Sequence, residues 1–212
     1  MTASSVPAAV QRYYTRLVVM AEAVAEGWLL GLVARLVFAG VLLFYFWNSA
    51  ATKIGPGLFG FLTISDGAYI QILPGAMEAV GYDASRLPAI PDGLIVVAGT
   101  YAEFVLPLLV VLGLFTRLSA LGMMVFVLVQ SVVDIIGHGA DAETVGSLFD
   151  RVPDSQILDQ RLLWGFLLLY LVVRGGGLVS LDGLLRRFLL QPRELSAGRH
   201  PAGRGPGMAG TS

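Results

Sequence analysis

The sequence predicts an all-α fold: a polytopic membrane protein built as a four-helix transmembrane bundle with an N-terminal amphipathic helix. Three observations carry this. Of the 212 residues, 56% are hydrophobic and 14% charged, and the mean hydropathy is +0.75, well outside the range of an ordinary soluble domain. Four apolar runs each reach about 20 residues, the length that crosses a hydrocarbon layer of roughly 30 Å. The basic residues divide unevenly between the segments joining those runs, as they do in multi-pass chains.

The elements follow in order. Over residues 1–27, Val10, Tyr13, Tyr14, Leu17, Val18, Ala21, Val24 and Ala25 recur at helical spacing with charges between them. That pattern predicts an amphipathic helix on the cytoplasmic membrane surface, the alternative being a loosely ordered leader. The four-helix transmembrane domain spans residues 28–190. Its first span, 28–47, is bracketed by Trp28 and Trp47, a separation of roughly 28 Å at 1.5 Å per residue, which fits an interfacial tryptophan at each end. The second, about 93–114, contains Pro107, which a lipid-embedded helix tolerates. The third runs from about 118 to 137 and the fourth from about 160 to 180. A link of about three residues around Thr116–Arg117 forces the second and third into an antiparallel hairpin. The link 48–92 reads as a re-entrant or surface-lying segment, and 138–158 as a loop with a short helix. The tail 191–212, rich in Gly, Pro and Ser, reads as disordered.

Charge sets the expected topology. Arg12, Arg16, Arg117, Arg174, Arg186, Arg187, Arg193, Arg199 and Arg204 fall on one side; Lys53, Arg86, Arg151 and Arg161 fall on the other. Nine against four places both termini in the cytoplasm and the two long acidic loops outside, in a bacterial inner membrane. No secretory signal is read at the N-terminus, because the first apolar run begins late and lacks a cleavage pattern. The net charge of −1 offers no basic field for nucleic acid. With 0 cysteines, thiol relays, iron–sulfur clusters and thiolate zinc sites are excluded within the chain. His138 and His200 are its two histidines, and His200 lies in the tail, so a bis-histidine haem is poorly served and no metal site is expected.

Function should lie with polar groups inside the apolar runs, because a lone charge in hydrocarbon costs several kcal/mol and must face the bundle. Arg35 lies seven residues into the first span and Glu103 ten into the second, and the two are the expected ion pair. Such a pair either fixes helix register or leaves Glu103 as a proton- or ligand-binding group. Gln130, Asp134 and His138 recur every fourth residue of the third span, on one stripe. Lys53 can meet that stripe, as can Asp159 and Arg161. An Asp–His pair suits a proton relay, hydrogen bonds to a quinone or a boundary ion pair. The candidate ligand or proton-site residues are therefore Arg35, Lys53, Tyr101, Glu103, Gln130, Asp134 and His138.

Three stretches carry a family resemblance: RLVFAGVLLFYFWNSAATKIG with Arg35, Gly40 and Lys53; AEFVLPLLVVLGLFTRLSALGM with Glu103, Gly113, Thr116, Arg117 and Ala120; and GGGLVSLDGLL with Ser180, Leu181 and Asp182. Over roughly residues 30–190 the chain resembles the DoxX family of small four-helix membrane proteins. Gly175, Gly176 and Gly177 stand where the family often has Gly-Pro-Gly. The resemblance implies a subunit of a redox or stress-response system, quinone-interacting or partner-anchoring, similar to a subunit of a thiosulfate:quinone oxidoreductase. It implies the lipid bilayer and a protein partner in a membrane complex, with quinone rather than a covalently held group as cofactor. The alternatives are a proton-coupled transporter using Glu103 and Asp134, and a membrane scaffold without chemistry of its own.

Overall fold

A computed structural model describes residues 8–57 and 59–189; the expected disordered tail and the first residues of the amphipathic helix lie outside them. Among the described residues, four helices are long and apolar enough to cross a membrane: Ala9–Ala51, Ala89–Leu112, Thr116–Gly137 and Gln156–Arg174. The β-structure among the described residues is one isolated antiparallel bridge between Ile54 and Ile64. The four spans pack against one another, the third against both the second and the fourth, and the first against the second and fourth.

The first helix is longer than hydropathy alone indicates. Val24, Leu29 and Leu30 all keep right-handed helical dihedrals, so the amphipathic segment and the first span form one helix of 43 residues. At 1.5 Å per residue it is roughly 64 Å long, about twice the hydrocarbon thickness. Its inner face supplies the core: Phe38, Leu42 and Phe46 meet Val110, Met123, Val127, Leu168 and Leu171. Phe46 sits edge-on to Phe126 and Trp164, with ring centroids 5.9 and 6.3 Å apart, an arrangement aromatic quadrupoles favour. The outward faces stay apolar and exposed, as at Leu128, Leu163 and Phe166, which is the pattern of a bundle solvated by lipid.

Lipid gives helices no hydrophobic reason to associate, so close backbone approach and polar contacts must hold them. One such lock closes the end of the bundle that carries the 113–115 turn. Asp182 accepts hydrogen bonds from the Phe115 and Thr116 amides, both at 2.8 Å, and from the Thr116 hydroxyl at 2.7 Å. It thus caps the third span from the far side of the fourth. The Asp182 amide donates in return to the Gly113 carbonyl at 2.8 Å. Gly113 has φ +69°, and a Cβ there would lie 2.6 Å from that of Ser180, so both the turn and the packing require glycine. The capture of the Phe115 and Thr116 amides starts the third helix at Thr116, and the linker is Gly113–Phe115 rather than Thr116–Arg117.

Arg35 belongs to this lock. Its guanidinium donates to the Val111 carbonyl, in the last turn of the second span, at 2.9 Å and to the Val179 carbonyl, in the turn before the terminal helix Leu181–Leu189. The expected Arg35–Glu103 pair is therefore not formed. Arg35 turns toward the C-terminal end of the second span, where its charge is matched by carbonyls and the nearby Asp182 carboxylate, and Glu103 finds another partner. Beside the lock, a Cβ at Gly31 would come within 2.9 Å of the Gly176 backbone, so the first span touches the 175–177 turn backbone to backbone.

At the opposite end, the link after the first span folds back on the bundle. The Tyr101 hydroxyl donates to the Phe61 carbonyl at 2.5 Å. Tyr101 is seven residues into the regular helix Leu94–Leu112, about 10 Å along its axis. Residues 54–57 and 59–64 thus fold back toward the second span, with Phe59, Phe61 and Leu62 exposed, an arrangement open to either a re-entrant or a surface-lying segment. Two short helices, Asp66–Ile72 and Pro74–Ala79, then cross the ends of the second and third spans. Ile72 packs on Gly99, and Pro74 on Gly137. The later loop holds the expected short helix, Ala142–Val145, capped by Asp141; the bond from the Thr144 amide holds the Asp141 carboxyl below its usual range.

Replacing Asp182 with alanine strands two amides, one hydroxyl and the Arg35 charge. We expect it to cost about 2 kcal/mol or more, read as a lower melting temperature in detergent. Asp182→Asn, which keeps acceptors, should lose less.

Candidate functional site

The first span ends at Ala51; Ser49 in its last turn and Lys53, two residues past it, face the bundle interior. Glu103 faces them from the second span, in the turn that Pro107 disrupts. Proline lacks an N–H and leaves the carbonyl four residues earlier without its helical bond; the adjacent Phe104 carbonyl accepts from Trp47 Nε1 at 3.1 Å. The outcome is a salt bridge of 2.7 Å between Lys53 Nζ and Glu103 Oε2, with side chains only 4% and 5% exposed.

Lys53 is fully used. Its three N–H groups reach Glu103 Oε2 at 2.7 Å, Ser49 Oγ at 2.7 Å and the Ser49 carbonyl at 3.2 Å. Glu103 is not. Its second oxygen, Oε1, accepts only a long contact of 3.4 Å from Ser49 Oγ. A carboxylate held by one lysine on one oxygen, with the other oxygen nearly free, can accept a hydrogen bond or a proton from an incoming hydroxyl.

That pair forms the floor of a cavity of about 350 Å³ between the second and third spans. Ile95, Gly99, Ala102 and Leu106 form one wall, and Gly122, Val125, Phe126, Val129 and Val133 the other. Ile95, Val125 and Val129 remain exposed, so the cleft opens sideways, toward the lipid. Gly99 and Gly122 leave its walls thin: a Cβ at Gly122 would already press on Leu106 at 3.2 Å. Gln71 and Ile72 of the link after the first span close the end away from the Gly113 turn.

The rim is polar. Asp134 pairs with Arg161 of the fourth span at 2.5 Å, and Arg161 also donates to Ser131 Oγ at 2.9 Å. His138 Nε2 lies 3.0 Å from the Gln71 carbonyl. A carbonyl only accepts, so Nε2 carries the proton there. Gln71 Nε2 continues to Thr52 Oγ1 at 3.1 Å, tying rim to floor helix. Gln130 Nε2 donates to Tyr45 Oη at 3.2 Å.

Of the seven residues singled out from sequence, Lys53, Glu103, Gln130, Asp134 and His138 line this one cleft. Arg35 lies in the lock at the other end, and Tyr101 anchors the link that follows the first span. Ser49 and Gln71 were missed. Ser49 sits one helical turn before Lys53 and was findable by that spacing; Gln71 comes from a link whose path no periodicity encodes. Among the described residues no group of three or more His, Cys, Asp or Glu could hold a metal ion.

Removing one partner of the buried pair should be severe and removing both mild. Lys53→Met or Glu103→Leu alone leaves an uncompensated buried charge, a loss of roughly 3–5 kcal/mol. The double variant should recover most of it in a thermal-melting double-mutant cycle. Additive losses would mean that the two groups do not sense each other.

Comparison with curated proteins gives no match, and comparison with solved structures gives none. The family model DoxX matches residues 30–134. The matched region runs from the start of the first span, through Arg35, the Lys53–Glu103 pair and the Gly113 turn, to Asp134 on the rim. With four membrane-spanning helices around those residues, the chain belongs to the DoxX family.

Proposed function

We propose that the protein is the membrane subunit of a redox or stress-response complex and holds a quinone in the cleft between its second and third spans. The observation that carries this is the pairing of an apolar slot, open sideways to lipid, with the buried Lys53–Glu103 pair at its floor. A quinone dissolves in the bilayer, so it enters from the side, and its ring needs an apolar slot with one or two hydrogen-bonding groups. Glu103 Oε1 is the group at hand. A quinol hydroxyl would replace the 3.4 Å contact from Ser49 with a charge-assisted bond of about 2.6 Å. Deprotonation of that hydroxyl leaves the proton on Glu103, and the rim groups Asp134 and His138 give it a way out.

The chain has no cysteine and one histidine outside its tail, so oxidation of a quinol bound there would pass its two electrons to a redox centre on a protein partner, one hydroxyl proton going to Glu103 and the other to the rim. The exposed outer loops and the long N-terminal helix are the surfaces available to that partner. The basic residues, nine against four, support both termini in the cytoplasm of a bacterial inner membrane and the cleft in the outer half of the bilayer.

A soluble quinol analogue titrated into the detergent-purified full chain should bind saturably. Ala102→Phe, which fills the slot, should abolish binding while leaving the melting temperature nearly unchanged. Glu103→Gln should weaken binding of the quinol about tenfold or more, since hydrogen bonds to charged groups are worth roughly 1.5–3 kcal/mol. Unchanged binding in Ala102→Phe would refute the assignment of the cleft.

A further inference from the structure

A second concavity lies at the other end of the bundle, away from the cleft. It is a groove of about 820 Å³ between the start of the third span, the end of the fourth and the terminal helix Leu181–Leu189. Four arginines line it: Arg117, Arg174, Arg186 and Arg187. The two carboxylates beside them do little to offset these charges. Asp182 is committed to the Phe115 and Thr116 amides and the Thr116 hydroxyl. Glu26 meets Arg174 at 3.1 Å in a pair that is 42% and 64% exposed, the kind of surface contact that holds weakly. Arg117, Arg186 and Arg187 make no salt bridge among the described residues. The groove therefore carries a surplus of two positive charges, four arginines less Glu26 and Asp182.

The same groove is flanked by apolar surface. Phe115, Leu118, Leu178 and Leu185 are between 44% and 69% exposed. The terminal helix sets Leu181, Leu184, Leu185 and Phe188 against Arg186 and Arg187, the composition of a helix that lies in the interface with its apolar face toward acyl chains. Arg117 lies across Gly175, with Nε 3.5 Å from where a Cβ would be, an ordinary contact. Arginines in the headgroup layer with leucines just below match a molecule having an anionic head and a hydrocarbon body.

We propose that this groove is a binding site for an acidic phospholipid, its phosphate held by Arg117, Arg186 and Arg187 and its acyl chains against Leu118, Leu178 and Leu185. The guanidinium forks suit phosphate oxygens bidentately. A free phosphate would satisfy the arginines but leave the leucines uncovered, so the lipid is the better fit. The inference uses only the position of the groove at a membrane face; it is independent of the quinone cleft.

The test is lipid retention by native mass spectrometry of the full chain, from nanodiscs of mixed phosphatidylglycerol and phosphatidylcholine. The wild-type protein should retain phosphatidylglycerol in preference, and the preference should decline as ionic strength rises. The combined Arg117→Gln, Arg186→Gln and Arg187→Gln variant should lose it, at roughly fivefold per arginine. The wild-type salt series needs no substitution and so stands even where the variant fails to fold. Equal retention of both lipids, salt-independent retention, or a folded variant that keeps its preference would each overturn the proposal. Displacement of the lipid by millimolar inorganic phosphate would show a free-anion site instead.

Discussion

A lysine and a glutamate buried 2.7 Å apart inside an apolar bundle set the terms for much of this fold. Neither charge could stay there alone, since each costs several kcal/mol in hydrocarbon. The first span must therefore end where Lys53 can turn back to Glu103, and the link that follows must re-enter beside the second span. The Tyr101–Phe61 contact, the Ile54–Ile64 bridge and the packing of Ile72 on Gly99 all follow from a first helix that stops at Ala51 and a link that folds back on the bundle. The same requirement creates the cleft. Two small residues, Gly99 and Gly122, line a slot above a polar floor, and no side chain fills it.

The far end solves a different problem with the same chemistry. Arg35, Gly113, Thr116, Ser180 and Asp182 come from three separated stretches of sequence and meet in one lock. The lock satisfies helix-terminal amides and carbonyls that lipid cannot. It also fixes the hairpin of the second and third spans, and so holds the two walls of the cleft at their spacing. A rigid lock at one end and a hollow half at the other divide the molecule into a clamp and a pocket.

Much of this was legible in the sequence, for identifiable reasons. The four spans follow from hydropathy, which leaves few options for 20 apolar residues. The stripe Gln130, Asp134, His138 follows from helical period, and all three residues do line one cavity. The partner of Glu103 was not legible. Counting depth from Trp28 and Trp47 put Arg35 near Glu103 and left Lys53 outside, because the counting assumed that a span ends at its second tryptophan. The helix continues to Ala51 with Lys53 just beyond it, and only the fold of the link that follows brings Lys53 back to Glu103. Likewise the unbroken helical dihedrals through Val24 and Leu30 join two segments that composition separates.

The measurement that bears most directly on the cleft is photolabelling of the full chain in lipid with an azido-quinone, followed by peptide mapping. Adducts should concentrate on Gly99–Leu106 and Gly122–Val133 and be suppressed by excess unlabelled quinol. Adducts spread over the lipid-facing surface of the fourth span at Leu162, Leu163 and Phe166, with no suppression, would contradict a quinone site between the second and third spans.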